Sequence, residues 1–365
     1  MKKWLIRTAA AFLAAAVFSF CSAAVPAVSA ESYILMDGDT GAVLAEHDAD
    51  RKALVASTTK IMTAIVILEH MSPEEIVKIP QEATEMEGSS IYLKAGERLS
   101  VEELLYGMML QSGNDAAEAL ALVCAGSVEE FAVLMNIRAQ KLGLQNTHFE
   151  NPSGLDGREQ YSSARDLGIL TMYALENPEF RKIVSTRNIQ FGDRTFRNHN
   201  RLLWSLEGCI GVKTGYTKAA GRILVSAAER KGRRLIAVTI CDGNDWLDHQ
   251  QLYEYGFSLY SKQTVTEKNS PVGEITDLSG KRIPLLAGQN MEYYLSPEDR
   301  IEIKINEPRM AFSAGEPGTE AGYATVYVGR REIGRIHLIW GGETQNAGAN
   351  TENHIRTRSG FPPDG

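Results

Sequence analysis

The apolar residues of this chain change their period twice, and that limits the folds open to it. Ile34 to Met36 and Ala42 to Leu44 read as two strands around the turn residues Asp37, Gly38 and Asp39. The spacing then becomes helical. Ile61, Met62, Ile65, Val66 and Leu68 lie mostly on one face of a buried helix that opens at Ser57. Ser100 with Glu103 forms a capping box ahead of the stripe Leu104, Leu105, Met108 and Met109. That helix is expected to end at Gln111-Ser112-Gly113, with the glycine as its stop, and Asn114 or Asp115 to start the next. Ser127 with Glu130 makes a second capping box, and the helix it opens runs through Phe131, Leu134, Met135 and Leu142 to a stop at Gly143. After the turn-rich NPSGLDG at 151–157, a further helix runs from about Ala164 to an end at Asn177-Pro178. Strand patterns then return in GVKTG, RILVSAAERK and RRLIAVTIC, and Trp246 to Tyr260 reads as a closing helix. Strands, then helices, then strands and a helix predict an α+β fold. Its antiparallel sheet is flanked by helices and carries an inserted all-α region, with no repeating βαβ unit.

Residues 262–340 differ in texture. Short runs such as RIEIKI, YATVYVG and GRIHLIW alternate with Gly and Pro, which predicts a small β-rich C-terminal domain after a first domain at 31–261. Residues 341–365 are polar and rich in Gly, Asn, Thr and Pro, and are expected to be a disordered tail. They have no apolar face, so contact with a membrane through this tail is not expected. Residues 1–30 have a basic start (Lys2, Lys3, Arg7), an apolar run and the small residues Val28 and Ala30 before Glu31, the pattern of a secretory signal peptide cut after Ala30. Without it the chain has 35 basic and 46 acidic residues, a net charge of −11. An acidic exported chain is a poor partner for nucleic acid. Cys124, Cys209 and Cys241 are odd in number and have apolar neighbours, which suits buried thiols. No Cys/His spacing resembles a zinc site and no cofactor is expected. The histidines are scattered, which leaves a histidine-based triad without an anchor.

Three short elements carry the chemistry: STTK at 57–60, SGN at 112–114 and KTG at 213–215. Each pattern occurs once. Alone, Ser57 could be a helix cap, SGN a turn and Lys213 a solvated strand residue. Together, in this order and in these settings, they make a nucleophile with its base. A serine hydroxyl is a feeble nucleophile without a base, and one helical turn brings Lys60 beside Ser57. Lys60 must lose its proton to serve, which burial and the nearby cation Lys213 would promote. Ser112 can pass a proton to the leaving amine, and Asn114 can bind the substrate backbone. Backbone N–H groups at Ser57 and Tyr216 would face an oxyanion.

With VKTGYTKAAGRILVSAA and FENPSGLD, these elements resemble the low-molecular-mass penicillin-binding proteins that are D-alanyl-D-alanine carboxypeptidases. The likeness covers about residues 31–260, and the β-rich region is similar to the family's usual second domain. It implies a penicillin-binding transpeptidase-like fold and an exported hydrolase. Such an enzyme acts on the D-Ala-D-Ala ends of peptidoglycan stem peptides through an acyl-serine, and β-lactams trap it. By this resemblance Ser57 is the nucleophile, Lys60 the base, and Ser112 and Asn114 the second element. Lys213, Thr214 and Gly215 would bind the substrate's terminal carboxylate and backbone.

Two other functions fit parts of the pattern. A class A β-lactamase adds a glutamate that activates the deacylating water, but no E-x-x-L-N stretch lies between 114 and 213 and the middle element is SGN rather than SDN. A non-catalytic penicillin sensor or wall-binding protein would have no need of all three elements.

Overall fold

The computed structural model describes residues 24–277, 282–306, 310–311 and 315–342. Most of the expected signal peptide (1–23) and nearly all of the expected polar tail (343–365) lie outside them. The N-terminal hairpin, β1 (Ser32–Asp37) and β2 (Val43–His47), finds its other partner far along the chain. There β3 (Cys209–Thr217), β4 (Gly221–Arg230) and β5 (Arg233–Ile240) form an antiparallel meander. Because β5 pairs with β1, the order across the sheet is β2-β1-β5-β4-β3, with β3 at an edge.

Strand alternation divides this sheet between two cores. Ile34, Met36, Val225, Ile236 and Val238 face the helices of the middle segment. Those are α1 (Lys60–His70), α2 (Val101–Leu110), α3 (Asn114–Ala125), α4 (Val128–Lys141), α5 (Ala164–Ala174) and α6 (Pro178–Ser185). On the other face Leu35, Leu224, Leu235 and Ala237 meet the short α7 (Leu202–Ser205) and α8 (Asp245–Ser258). The serine half of each capping box forms: the Ser100 and Ser127 hydroxyls accept from the Glu103 and Glu130 N–H groups, while the Glu103 carboxylate receives Arg194.

Two local expectations need correction. Asn177-Pro178 does not simply end a helix; it starts α6. The Asn177 side chain accepts from the Glu179 and Phe180 N–H groups, and proline at the first helical position lacks a donor that would have no partner there anyway. α2 has its C-cap at Gln111, as expected, but the left-handed residue that follows is Ser112, with φ 63°, not Gly113, with φ −54°.

The strands from Ser261 onward build sheets of their own. Ser261–Thr266 pairs with Met291–Leu295. A six-stranded sheet centres on Glu320–Val328, Arg331–Trp340 and Arg282–Ala287, around Val326, Ile336, Leu338 and Leu285. Charged groups tie it to the first sheet. Arg233 of β5 is buried between Asp37 and Asp299, and Arg331 donates to Asp39 at 3.0 and 3.1 Å.

Candidate active site

Ser57 lies in a 3-10 turn, Ala56–Thr59, immediately before α1 rather than at the head of α1 itself. Ala56 takes a positive φ of 45° there. Lys60 is the first residue of α1 and has no exposure to solvent. Its Nζ is 3.0 Å from Ser57 Oγ, 2.7 Å from Asn114 Oδ1 and 2.5 Å from the Ser153 carbonyl. Neutral lysine has two N–H donors and one lone pair. Two carbonyl-type acceptors use the donors, which leaves the lone pair for the Ser57 hydroxyl proton. Burial, and then the charge of Lys213, push Lys60 well below the ordinary lysine value of 10.5.

Ser112 and Asn114 flank the start of α3. The left-handed backbone at Ser112 turns its hydroxyl to Lys213 Nζ, 3.0 Å away. Asn114 Nδ2 donates to the Glu87 carbonyl at 2.6 Å while Oδ1 receives Lys60. The next residue, Asp115, holds the neighbouring loop. Its carboxylate accepts from Ser90 Oγ and from the N–H groups of Ile91, Leu93 and Ala116.

The third element is on β3. Lys213 is 1% exposed, and burial pushes it down to about 7. Its Nζ also donates to the Thr214 carbonyl at 2.8 Å. Gly215 lets β3 run close to the nucleophile's turn: a Cβ there would stand 3.1 Å from the Val55 carbonyl. Thr214, Gly215 and the exposed Tyr216 line a cleft of about 1250 Å³ with Ser57 and Ser112. Among the described residues β3 is an edge strand, and one side of its backbone has no strand partner there, an arrangement suited to pairing with an extended peptide.

All eight residues singled out in the sequence (Ser57, Lys60, Ser112, Asn114, Lys213, Thr214, Gly215 and Tyr216) gather around this cleft. Sequence reasoning missed the Ser153 carbonyl, Asp115, and the cleft-lining residues Arg197, His199 and Arg201. His199 is lowered from its ordinary value by burial and by Lys213. Another histidine does meet a serine: His249 Nδ1 is 2.6 Å from Ser226 Oγ. That pair is fully buried on the α8 side of the sheet, where burial pushes His249 down to about 3.

Residues 20–244 match the family described as D-alanyl-D-alanine carboxypeptidase. The chain is 35% identical to the D-alanyl-D-alanine carboxypeptidase DacF of Bacillus subtilis over 69% of this chain and 68% of that one. It is 40% identical to DacC of Escherichia coli over 66% of this chain and 64% of that one. The crystal structure of penicillin binding protein 5 from Haemophilus influenzae superposes with a TM-score of 0.65 at 28% identity, covering 87% of this chain and 98% of that one. A serine–lysine pair in a cleft beside an edge strand, with this agreement in sequence and fold, places the chain in the D-alanyl-D-alanine carboxypeptidase family of penicillin-binding proteins.

Proposed function

We propose that Ser57 is the nucleophile of this serine D-Ala-D-Ala carboxypeptidase and that stem-peptide ends of peptidoglycan are its substrate. The observation that carries the assignment is the hydrogen-bond set of Lys60, which leaves its lone pair for Ser57. Ser57 Oγ attacks the carbonyl of the penultimate D-alanine as Lys60 takes its proton. Backbone N–H groups of Ser57 and Tyr216 receive the oxyanion. The C–N bond breaks, and Ser112, beside Lys213, hands a proton to the departing amine of the last D-alanine and recovers the one that Lys60 took up, so that both groups are restored before deacylation. Water then hydrolyses the acyl-Ser57 ester, returning Ser57 its proton and releasing the shortened peptide. Lys213 and Thr214 bind the terminal carboxylate, which distinguishes a chain end from a chain middle. A bound carboxylate favours charged Lys213 and offsets the effect of its burial. A β-lactam acylates the same serine. The basic start, apolar run and small residues of segment 1–30 support export to the cell envelope.

The test is to incubate the protein with penicillin and with a diacyl-D-Ala-D-Ala peptide, then locate the adduct and measure free D-alanine. The expected result is one adduct on Ser57, release of D-alanine, and loss of both in Ser57→Ala. An adduct on Ser112 or Thr58 would overturn the assignment. Fast drug hydrolysis without peptide cleavage would favour a β-lactamase.

A further inference from the structure

The segment just before β1 is fixed to the fold by polar contacts at Ser29 and by apolar packing on either side of it. Ser29 N–H donates to Asp248 Oδ2 at 2.6 Å. Ser29 Oγ is 2.7 Å from Asp242 Oδ1 and 2.7 Å from Asp248 Oδ2. Ala30 is buried in the core beneath α8, Val28 packs against that core, and the Glu31 N–H donates to the Ile240 carbonyl at 3.1 Å.

The protons at this point do not add up. A serine hydroxyl has one proton, yet two carboxylates stand at equal hydrogen-bond distance from it. Asp242 and Asp248 are 1% and 3% exposed. Asp242 Oδ1 also accepts from the Asn244 N–H, whereas its buried Oδ2 accepts no hydrogen bond; the neighbouring Thr239 hydroxyl is engaged with His249 Nε2 at 3.0 Å. Arg222, on the adjacent strand, is already paired with Asp245. Burial and the neighbouring Asp248 raise the proton affinity of Asp242, as expected where positive charge is missing.

Two pairs of small residues nearby suit a signal peptidase: Val28 with Ala30, and Val25 with Ala27. A cut after Ala30 discards Ser29, the bridge between the two carboxylates, and puts the new ammonium on Glu31, whose N–H is already taken by the Ile240 carbonyl. We infer that the cut falls after Ala27, and that the new α-ammonium of Val28 completes the Asp242–Ser29–Asp248 site. Water hydrolyses the Ala27–Val28 peptide bond, leaving a carboxylate on Ala27 and an amine on Val28 that takes up a proton. One residue spans at most about 3.6 Å, so this amine lies within roughly 6 Å of Asp248 Oδ2, close enough to compensate a carboxylate. Processing thereby fastens the entry of β1 to α8.

This inference rests on the export reading, and the test separates the two. The full chain is expressed in a bacterium, recovered from outside the cytoplasm, and its first residue is read by intact mass and terminal peptide. A start at Val28 is expected. A start at Glu31 or Val25 overturns the inference and leaves export standing, whereas a full-length chain retained in the cell overturns export. On the processed protein, the α-amine is tagged by reductive methylation with labelled carbon and titrated by NMR. It should titrate above the ordinary α-amino range of about 7.7–8.0. It should return to that range in the Asp242→Asn/Asp248→Asn variant. An ordinary value in the unmutated protein overturns the role given to the ammonium.

Discussion

Lys60 shows why the residue type and the burial must act together. With a proton on it, its third N–H would point at Ser57 Oγ and the serine could not give its own proton away. Arginine keeps a charge that it cannot lose. Lys60→Arg should therefore acylate with penicillin about 10²–10⁴-fold more slowly, as measured by stopped-flow or timed mass spectrometry. Near-normal acylation would remove Lys60 from the base role. In the unmutated enzyme the acylation rate should rise with pH and level off well below 10.5, because burial and Lys213 depress Lys60. Lys60, Ser57, Ser112 and Lys213 were legible in the sequence because their chemistry resides in side chains at recognisable spacing. The Ser153 contact was not, since any residue carries a carbonyl and only the fold aims it at Lys60. Asp115 was equally hidden: it was readable as a helix starter, but its donors at Ser90, Ile91 and Leu93 come from a loop more than twenty residues earlier.

The elements around the nucleophile depend on two close approaches. Gly154, with φ 83°, passes so near the 3-10 turn that a Cβ would sit 1.9 Å from the Ala56 carbonyl and 2.9 Å from Thr59 Oγ1. No rotamer relieves a clash with backbone. Gly154→Ala must move the 151–155 loop away, and the Ser153 carbonyl leaves Lys60 with it. The variant should lose about 1–3 kcal/mol of stability in chemical denaturation and acylate at least about tenfold more slowly. Acylation at the normal rate would show that the loop does not position Lys60. Helix caps and periodicity announced α2, α4 and the meander. They failed at Asn177-Pro178, where the same dipeptide can close one helix or open another, and the buried Phe180 and Ile183 decide for opening. They also put Ser57 on α1 itself. A single 3-10 turn leaves no periodic trace in a sequence.

Across the whole molecule, β1 and β2 join three strands that come from the far side of the helical segment, and the turn between them holds the C-terminal sheets. Asp39, in that turn, is almost fully buried and accepts two hydrogen bonds from Arg331. Burial raises the proton affinity of Asp39, Arg331 lowers it again, and the first effect is the larger. A carboxyl whose folded value exceeds its unfolded value of 3.8 favours folding at low pH, and that contribution is lost as pH rises through the folded value. Removing Arg331 raises the folded value further, so charged Asp39 then costs more. Arg331→Met should therefore destabilise the protein by about 1–3 kcal/mol at neutral pH, the scale of a partly exposed pair broken on one side. The deficit should shrink as the solution is acidified toward the Asp39 value, where the carboxyl takes a proton and no longer needs the arginine. Asp39→Asn in the same background should remove most of this pH dependence. Because Arg331 is remote from Ser57 in the hydrogen-bond network, the acylation rate of Arg331→Met should stay unchanged below its melting range. Urea titrations of the two variants from pH 4 to pH 8 measure the difference directly. A deficit that stays constant or grows on acidification would mean that Arg331 holds the C-terminal sheets by packing and not by compensating Asp39.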